Sequence, residues 1–311
     1  MPKIIDTGIR DWTPGELPNL KGKRYFITGG NSGIGLEAAK ILAKNNADVV
    51  IGARDQAKGE AAVAEVSLCG PGKISLVQID LADLSSVRSA AEQVTNDFGP
   101  LDALINNAGI MQTPKQKTAD GFEMQLGTNH LGHFLLSGLL FPLVGEAGGR
   151  IVTVSSIAHK FGWIDFDNLM LERGYERSRA YAQSKYANLV FAIELHRRLR
   201  AGDSSVASIA CHPGYSATSL TSTGPNAVMA GIYSISNAIF AQPAELGAFP
   251  TVLGAADLRA ESGAYYGPRG LFDARGPVGD AEIERRALKE DVAKRLWEVS
   301  EALVDFEWRL P

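Results

Sequence analysis

Tyr25-Phe26-Ile27-Thr28-Gly29-Gly30-Asn31-Ser32-Gly33-Ile34-Gly35, continued by Leu36-Glu37-Ala38-Ala39-Lys40-Ile41-Leu42-Ala43, decides the fold. An apolar, β-leaning run stops at glycines and passes straight into a segment with Ile34, Ala38, Ile41 and Leu42 at helical spacing, which predicts strand, tight turn, helix. Glycines at 29, 33 and 35 allow a sharp turn and a close approach of backbone to a ligand. The N-terminus of the following helix offers unpaired N–H groups and a partial positive charge, so the turn reads as a phosphate cradle. Its spacing, Gly-x-x-x-Gly-x-Gly, differs from the commoner Gly-x-Gly-x-x-Gly, and a glycine-rich turn needs support from the rest of the chain.

The chain has 311 residues, 45% apolar and 21% charged, ordinary for a soluble globular protein with a full core. A net charge of −4 gives no basic field for nucleic acid. The longest apolar stretch, residues 131–144, is broken by Gly132, His133, Ser137, Gly138 and Pro142, so no membrane span is expected. The start, Met1-Pro2-Lys3-Ile4-Ile5-Asp6, lacks the apolar core of a signal peptide. Two distant cysteines, Cys69 and Cys211, form neither a disulfide framework nor a metal spacing. They favour a reducing compartment, and the expectation is a cytoplasmic protein.

Outward from the glycine turn, residues 1–20 show no periodicity and read as an arm over the surface, anchored by Trp12. A second strand, residues 47–52, ends at Ala53-Arg54-Asp55. At this place, an acidic side chain suits a ribose 2′-hydroxyl and an arginine suits a 2′-phosphate, so Arg54 favours NADP(H), with Asp55 leaving NAD open. A helix over 57–66, a strand over 74–79 ending at Asp80-Leu81, and a helix over 84–98 capped by Asp83 continue the alternation. Residues 101–106 form a fourth strand that runs into Asn106-Asn107-Ala108-Gly109. The helical stretch 122–143 carries Asn129, which either bends the helix or joins a polar relay. Residues 149–156 deliver Ser155 and Ser156 at a strand's carboxyl end, an irregular segment follows over 157–179, and Tyr181-Ala182-Gln183-Ser184-Lys185 opens a helix. A sixth strand over 206–210 leads to His212-Pro213-Gly214. Then come a charge-free stretch over 216–241, a helix over 244–256, a short strand over 263–268 and an amphipathic helix over 282–304. Without repeat or linker, this predicts one α/β domain with a parallel sheet and helices on both faces.

Tyr181 and Lys185 are four apart and share one face of their helix, a spacing common by chance. The order of motifs gives it weight. Thr28-Gly29-x3-Gly33-Ile34-Gly35, Asn106-Asn107-Ala108-Gly109, Asn129, Ser156, Tyr181-x3-Lys185 and Pro213-Gly214 together resemble the short-chain dehydrogenase/reductase family, over residues 21–270. Ala53-Arg54-Asp55, Val154-Ser155-Ser156-Ile157-Ala158-His159 and His212-Pro213-Gly214 look most like its retinol-dehydrogenase and carbonyl-reductase branch. The resemblance implies a single-domain Rossmann fold, a doubly wound parallel sheet of about seven strands over 21–311. The charge-free, apolar stretch beside Tyr181 reads as a substrate lid over about 215–241.

It further implies that Tyr181 passes a proton to or from a substrate oxygen while Lys185 lowers its pKa and binds the nicotinamide ribose. Ser156 polarises the substrate oxygen, with Ser155 the runner-up since strand alternation aims one of the pair into the site, and Asn129 supports a water relay. The implied NADP(H) site comprises Gly29, Asn31, Ser32, Gly33, Ile34, Gly35, Arg54, Asp80, Leu81, Asn107, Ala108, Gly109, Tyr181, Lys185, Pro213, Gly214 and Thr218. Direct hydride transfer needs no metal. Two segments flanking the strand ends, the irregular 157–179 with Phe161, Trp163 and Phe166, and the charge-free 216–241, suggest a bulky apolar carbonyl or alcohol as substrate. The alternatives are a carbon–carbon double-bond reductase and a non-catalytic NADP(H) sensor. Family members often pair subunits through the helices that here hold Phe122 and Tyr181, so a homodimer or homotetramer is an open expectation.

Overall fold

The strand that feeds the glycine turn, β1 (Arg24–Thr28), is buried from Tyr25 onward and lies at the centre of one eight-stranded sheet. The computed structural model describes residues 3–215, 242–270 and 273–311. After β1 come α1 (Gly33–Lys44), β2 (Asp48–Ala53), α2 (Gln56–Ser67), β3 (Ile74–Gln78), α3 (Leu84–Asp97) and β4 (Ala103–Asn106). The next helix starts over Met124–Leu126, widens to a π turn over Gly127–Leu131 and continues as α4 (Gly132–Glu146). There follow β5 (Arg150–Val154), α5 (Arg177–Ala201), β6 (Ala207–Cys211), α6 (Ala244–Ala256), β7 (Tyr265–Pro268), β8 (Val278–Asp280) and α7 (Glu290–Val304).

The strand order is β3-β2-β1-β4-β5-β6-β7-β8, parallel throughout except that β8 pairs antiparallel with β7. Tyr25 lies opposite Val49 on one side and Ala103 on the other, so the order reverses between β1 and β4. Ligands of such sheets sit outside the strand carboxyl ends at that reversal. One face of the sheet is packed by α1 and α6 around Ile27, Leu42, Val152 and Val252. The other is packed by α3, α4 and α5 around Phe26, Val87, Leu104 and Leu135.

The expected seven strands are eight. Val278–Asp280 is too short to show alternation, and its pairing partners lie far off in the sequence: the amide of Trp12 donates to Val278 O and that of Asp280 to Ile9 O. The arm is held as expected, with Trp12 1% exposed and its indole Nε1 donating to Asp257 Oδ2 at 2.6 Å. The last helix begins at Glu290 and not near residue 282, because Ala281 still bonds the sheet through Tyr265 O while Ile283 is buried. In contrast, α5 begins earlier than Tyr181, at Arg177. The C-terminal tail covers α4 and α5: Trp297 stands edge-on to Phe134 at 5.1 Å, and Trp308 packs at Gly138. Among the described residues no helix is long and apolar enough to cross a membrane.

Candidate active site

A cleft of about 700 Å³ opens at the carboxyl ends of the strands, running from the glycine turn and the end of β2 to Tyr181 and Lys185. Its phosphate end is built from backbone. Gly29 has φ +65°, and a Cβ on Gly35 would collide with the Gly29 carbonyl and stand 2.5 Å from Asn107 Nδ2. Ser32 precedes α1 without capping it by its side chain. The first amides of α1 therefore face a Cβ-free cradle, a fit for a pyrophosphate.

The turn rests on the segment after β4. The amides of Asn107 and Ala108 both donate to Thr28 Oγ1 at 3.0 Å, and Asn107 Nδ2 donates to Thr28 O at 2.8 Å. At the end of β2, Arg54 is exposed on the cleft wall beside Lys58, and Gln78 Nε2 donates to Arg54 O at 3.1 Å. Asp55 is spent differently from Arg54: its carboxylate caps α2 by accepting the amide of Lys58 at 3.0 Å.

At the other end, helix α5 presents Tyr181 half-buried on the cleft wall and Lys185 buried one turn on. Lys185 Nζ donates to Val154 O at 3.0 Å, the carbonyl that Asn188 Nδ2 also uses at 3.1 Å. Burial lowers the Lys185 pKa to about 8, so the ammonium is retained at neutral pH. Gly109 allows the close approach, since a Cβ there would lie 3.2 Å from Asn129 Oδ1 and 3.4 Å from Lys185 Nζ.

Asn129 sits within the π turn and is fully buried. Its Oδ1 accepts the Ile110 amide at 2.8 Å, and its Nδ2 donates to Ile110 O at 3.0 Å and Ser184 Oγ at 2.9 Å. Helix distortion and a polar network, two alternatives on the sequence, are here combined. Of the two serines, Ser155 lines the cleft and Ser156 does not. Ser155 is buried and gives its hydroxyl proton to Lys185 O at 2.7 Å, whereas half-buried Ser156 Oγ accepts the Ala158 amide at 3.2 Å and keeps its own proton to donate.

Of the residues expected at the site, Gly29, Asn31, Ser32, Gly33, Ile34, Gly35, Arg54, Asp80, Leu81, Asn107, Ala108, Gly109, Tyr181, Lys185 and Pro213 line the cleft together. Ser156, Asn129 and Gly214 do not; Asn129 lies behind Gly109, and a Cβ on Gly214, at φ +69°, would strike the Ala274 carbonyl. Thr218 and the lid expected over about 215–241 lie outside the described residues, apart from Tyr215. Thr28 and Lys58 line the cleft without having been singled out as binding residues. Lys58 had a legible signal, a cation one helical turn beyond Arg54.

A model of the short chain dehydrogenase family matches residues 23–227 of this chain. The chain belongs to that family. Human retinol dehydrogenase 14 is 40% identical over 304 residues, covering 92% of this chain and 87% of its own. Human retinol dehydrogenase 13 is 38% identical over 314 residues, covering 95% and 89%. Among solved structures, an uncharacterised protein from Mycobacterium Paratuberculosis is 39% identical with a TM-score of 0.80, covering 96% of this chain and 100% of that one. A short chain dehydrogenase from Burkholderia cenocepacia in complex with NADP is 29% identical with a TM-score of 0.62, covering 79% and 96%. The chain is thus an oxidoreductase of the short-chain family, and the family uses a nicotinamide cofactor, for which the glycine cradle is suited.

Proposed function

We propose that the protein interconverts an apolar aldehyde or ketone and its alcohol with NADP(H), using Tyr181 as the acid–base. The observation that carries this reading is that Tyr181, with buried Lys185 one turn along, shares one cleft with the glycine turn and Arg54. When bound, the cofactor supplies or accepts the hydride. The rest falls to side chains. A free phenol, with a pKa of about 10, is a poor proton carrier at neutral pH, and the Lys185 ammonium stabilises its anion. In the reducing direction the Tyr181 hydroxyl gives its proton to the carbonyl oxygen as the carbon gains hydride; in the oxidising direction the phenolate takes it back. Ser156 donates a hydrogen bond to the same oxygen, and Asn129 holds the Ile110 backbone beside it.

Arg54 and Lys58 supply two cations for a ribose 2′-phosphate, and the capping role of Asp55 weighs against a 2′-hydroxyl partner. An apolar substrate is supported by Phe161 and Trp163, 73% and 47% exposed just beyond Ser156, and by the names of the retinol dehydrogenases that the chain resembles. The test is NADPH consumption over a panel of aldehydes, ketones, quinones and enones, by wild type and Tyr181→Phe. The expected result is preferred turnover of long-chain or ring-bearing aldehydes and ketones, lost by about two orders of magnitude in the variant while NADPH binding persists. Near-normal activity of Tyr181→Phe overturns the acid–base assignment, turnover of enones alone points to a double-bond reductase, and binding without turnover points to a sensor.

A further inference from the structure

We infer that His133, in the first turn of α4, is a positioning residue that joins the two ends of the cleft through one fixed neutral tautomer. The inference takes from the reading above that the glycine turn holds the cofactor and that Asn129 and Lys185 flank the reacting end. The side chain is 2% exposed. Its Nδ1 lies 2.9 Å from the backbone carbonyl of Asn129 and its Nε2 lies 2.8 Å from Thr28 Oγ1.

Donor counting settles the protons. A carbonyl can only accept, so Nδ1 carries the hydrogen; Nε2 is then a bare lone pair, and the Thr28 hydroxyl must donate into it. The Ile105 carbonyl, at 3.3 Å, competes for the same hydroxyl proton, but its gain would leave Nε2 buried and unpaired. With its proton committed, Thr28 Oγ1 has two lone pairs left, and the amides of Asn107 and Ala108 fill both at 3.0 Å. On the other side Asn129 reaches Ile110 and Ser184, and Ser184 Oγ donates to Tyr181 O at 2.8 Å. The Asn107 amide is shared between Thr28 Oγ1 and Ile105 O, each at 3.0 Å. The imidazole therefore ties the floor under the phosphate turn to the backbone of Asn129. Burial, with the nearby Lys185 charge, lowers its pKa to about 4, which keeps it neutral at physiological pH.

The two ring nitrogens can be replaced separately. In His133→Asn an amide N–H stands where Nδ1 was and the acceptor for Thr28 is lost; in His133→Gln an amide oxygen reaches Thr28 and the donor to Asn129 is lost. Three measurements are made on each full-length variant: amide hydrogen exchange, NADPH affinity by titration, and kcat on a carbonyl that wild type reduces. His133→Asn is expected to keep Ile110 protection and kcat within about twofold, with Asn107 and Ala108 exchanging about tenfold faster and NADPH binding about tenfold more weakly. His133→Gln is expected to show the reverse pattern, with NADPH affinity retained and both Ile110 protection and kcat falling about tenfold. A uniform loss shared by all amides and both parameters, or two variants that cannot be told apart, overturns the inference. Exchange and affinity require no turnover, so an absence of carbonyl reduction counts against the proposed function and leaves this test standing. Nitrogen NMR of wild type gives a check free of substitutions: Nδ1 protonated and Nε2 bare is expected, and the opposite tautomer or a charged ring refutes the assignment.

Discussion

Acid exposes how much of this fold depends on neutral imidazoles. Four of the five histidines, His130, His133, His159 and His212, are at most 2% exposed. Burial lowers their pKa values to about 3, 4, 4 and 3 respectively. In the unfolded chain each titrates near 6.5, so the unfolded state takes up protons that the native state refuses. Stability is therefore fully present above pH 6.5, falls as pH drops through that value, and goes on falling until the native pKa values are reached. Between about pH 7.5 and 5.5 each histidine costs about 1.4 kcal/mol, and the four together about 5 kcal/mol. That is comparable with the whole stability of a typical domain, about 5–15 kcal/mol. Buried Glu123, whose pKa is raised by desolvation, works in the opposite direction, its contribution becoming more favourable as acid protonates it. Urea unfolding at the two pH values measures the drop. His130 lies between Phe134 and Phe191 with Ser300 Oγ at 2.9 Å, and His130→Gln keeps an amide for that hydroxyl without a titrating ring. The variant is expected to lose about 1.4 kcal/mol less than wild type over the same interval. A wild-type stability that changes by less than about 1 kcal/mol, or an equal drop in the variant, refutes the reasoning.

Two further outcomes concern cofactor binding. Titration is expected to show NADPH binding at least about tenfold more tightly than NADH, on the order of 1.4 kcal/mol for a charge-assisted phosphate contact, with most of that preference lost in Arg54→Ala; equal affinities in wild type would defeat the assignment. Gly35→Ala places a Cβ against the Gly29 carbonyl and Asn107 Nδ2, so the backbone of the turn must move, and NADPH affinity is expected to fall by at least about tenfold while far-UV circular dichroism stays native; unchanged affinity would mean that the turn does not hold the cofactor.

What the chain shows by itself is whatever depends on near neighbours. The run from Tyr25 to Ala43 specifies strand, turn and helix because its apolar period changes from a buried strand to helical spacing at the glycines. Asp83 announces the start of α3, and it caps that helix by accepting the Ser85 and Ser86 amides. Tyr181 and Lys185 share a helix face on spacing alone, and the motif order was enough to indicate the family. Pairings between distant segments were not legible. β8 exists because residues near Trp12 and Tyr266 find it, and Glu282 to Lys289, charged at helical intervals, are held out of α7 by contacts of Ala281 and Ile283 with the sheet. The Ser155 hydroxyl is tied to the Lys185 carbonyl, 30 residues away, a bond that no local pattern marks. The bond between Thr28 and His133 spans 105 residues, and no local pattern marks either as the other's partner. Hydrogen-bond donors and burial are properties of what folding brings together, so the side chains proposed for the reaction could be named along the chain, while their burial, hydrogen-bond partners and supports were decided by the tertiary structure.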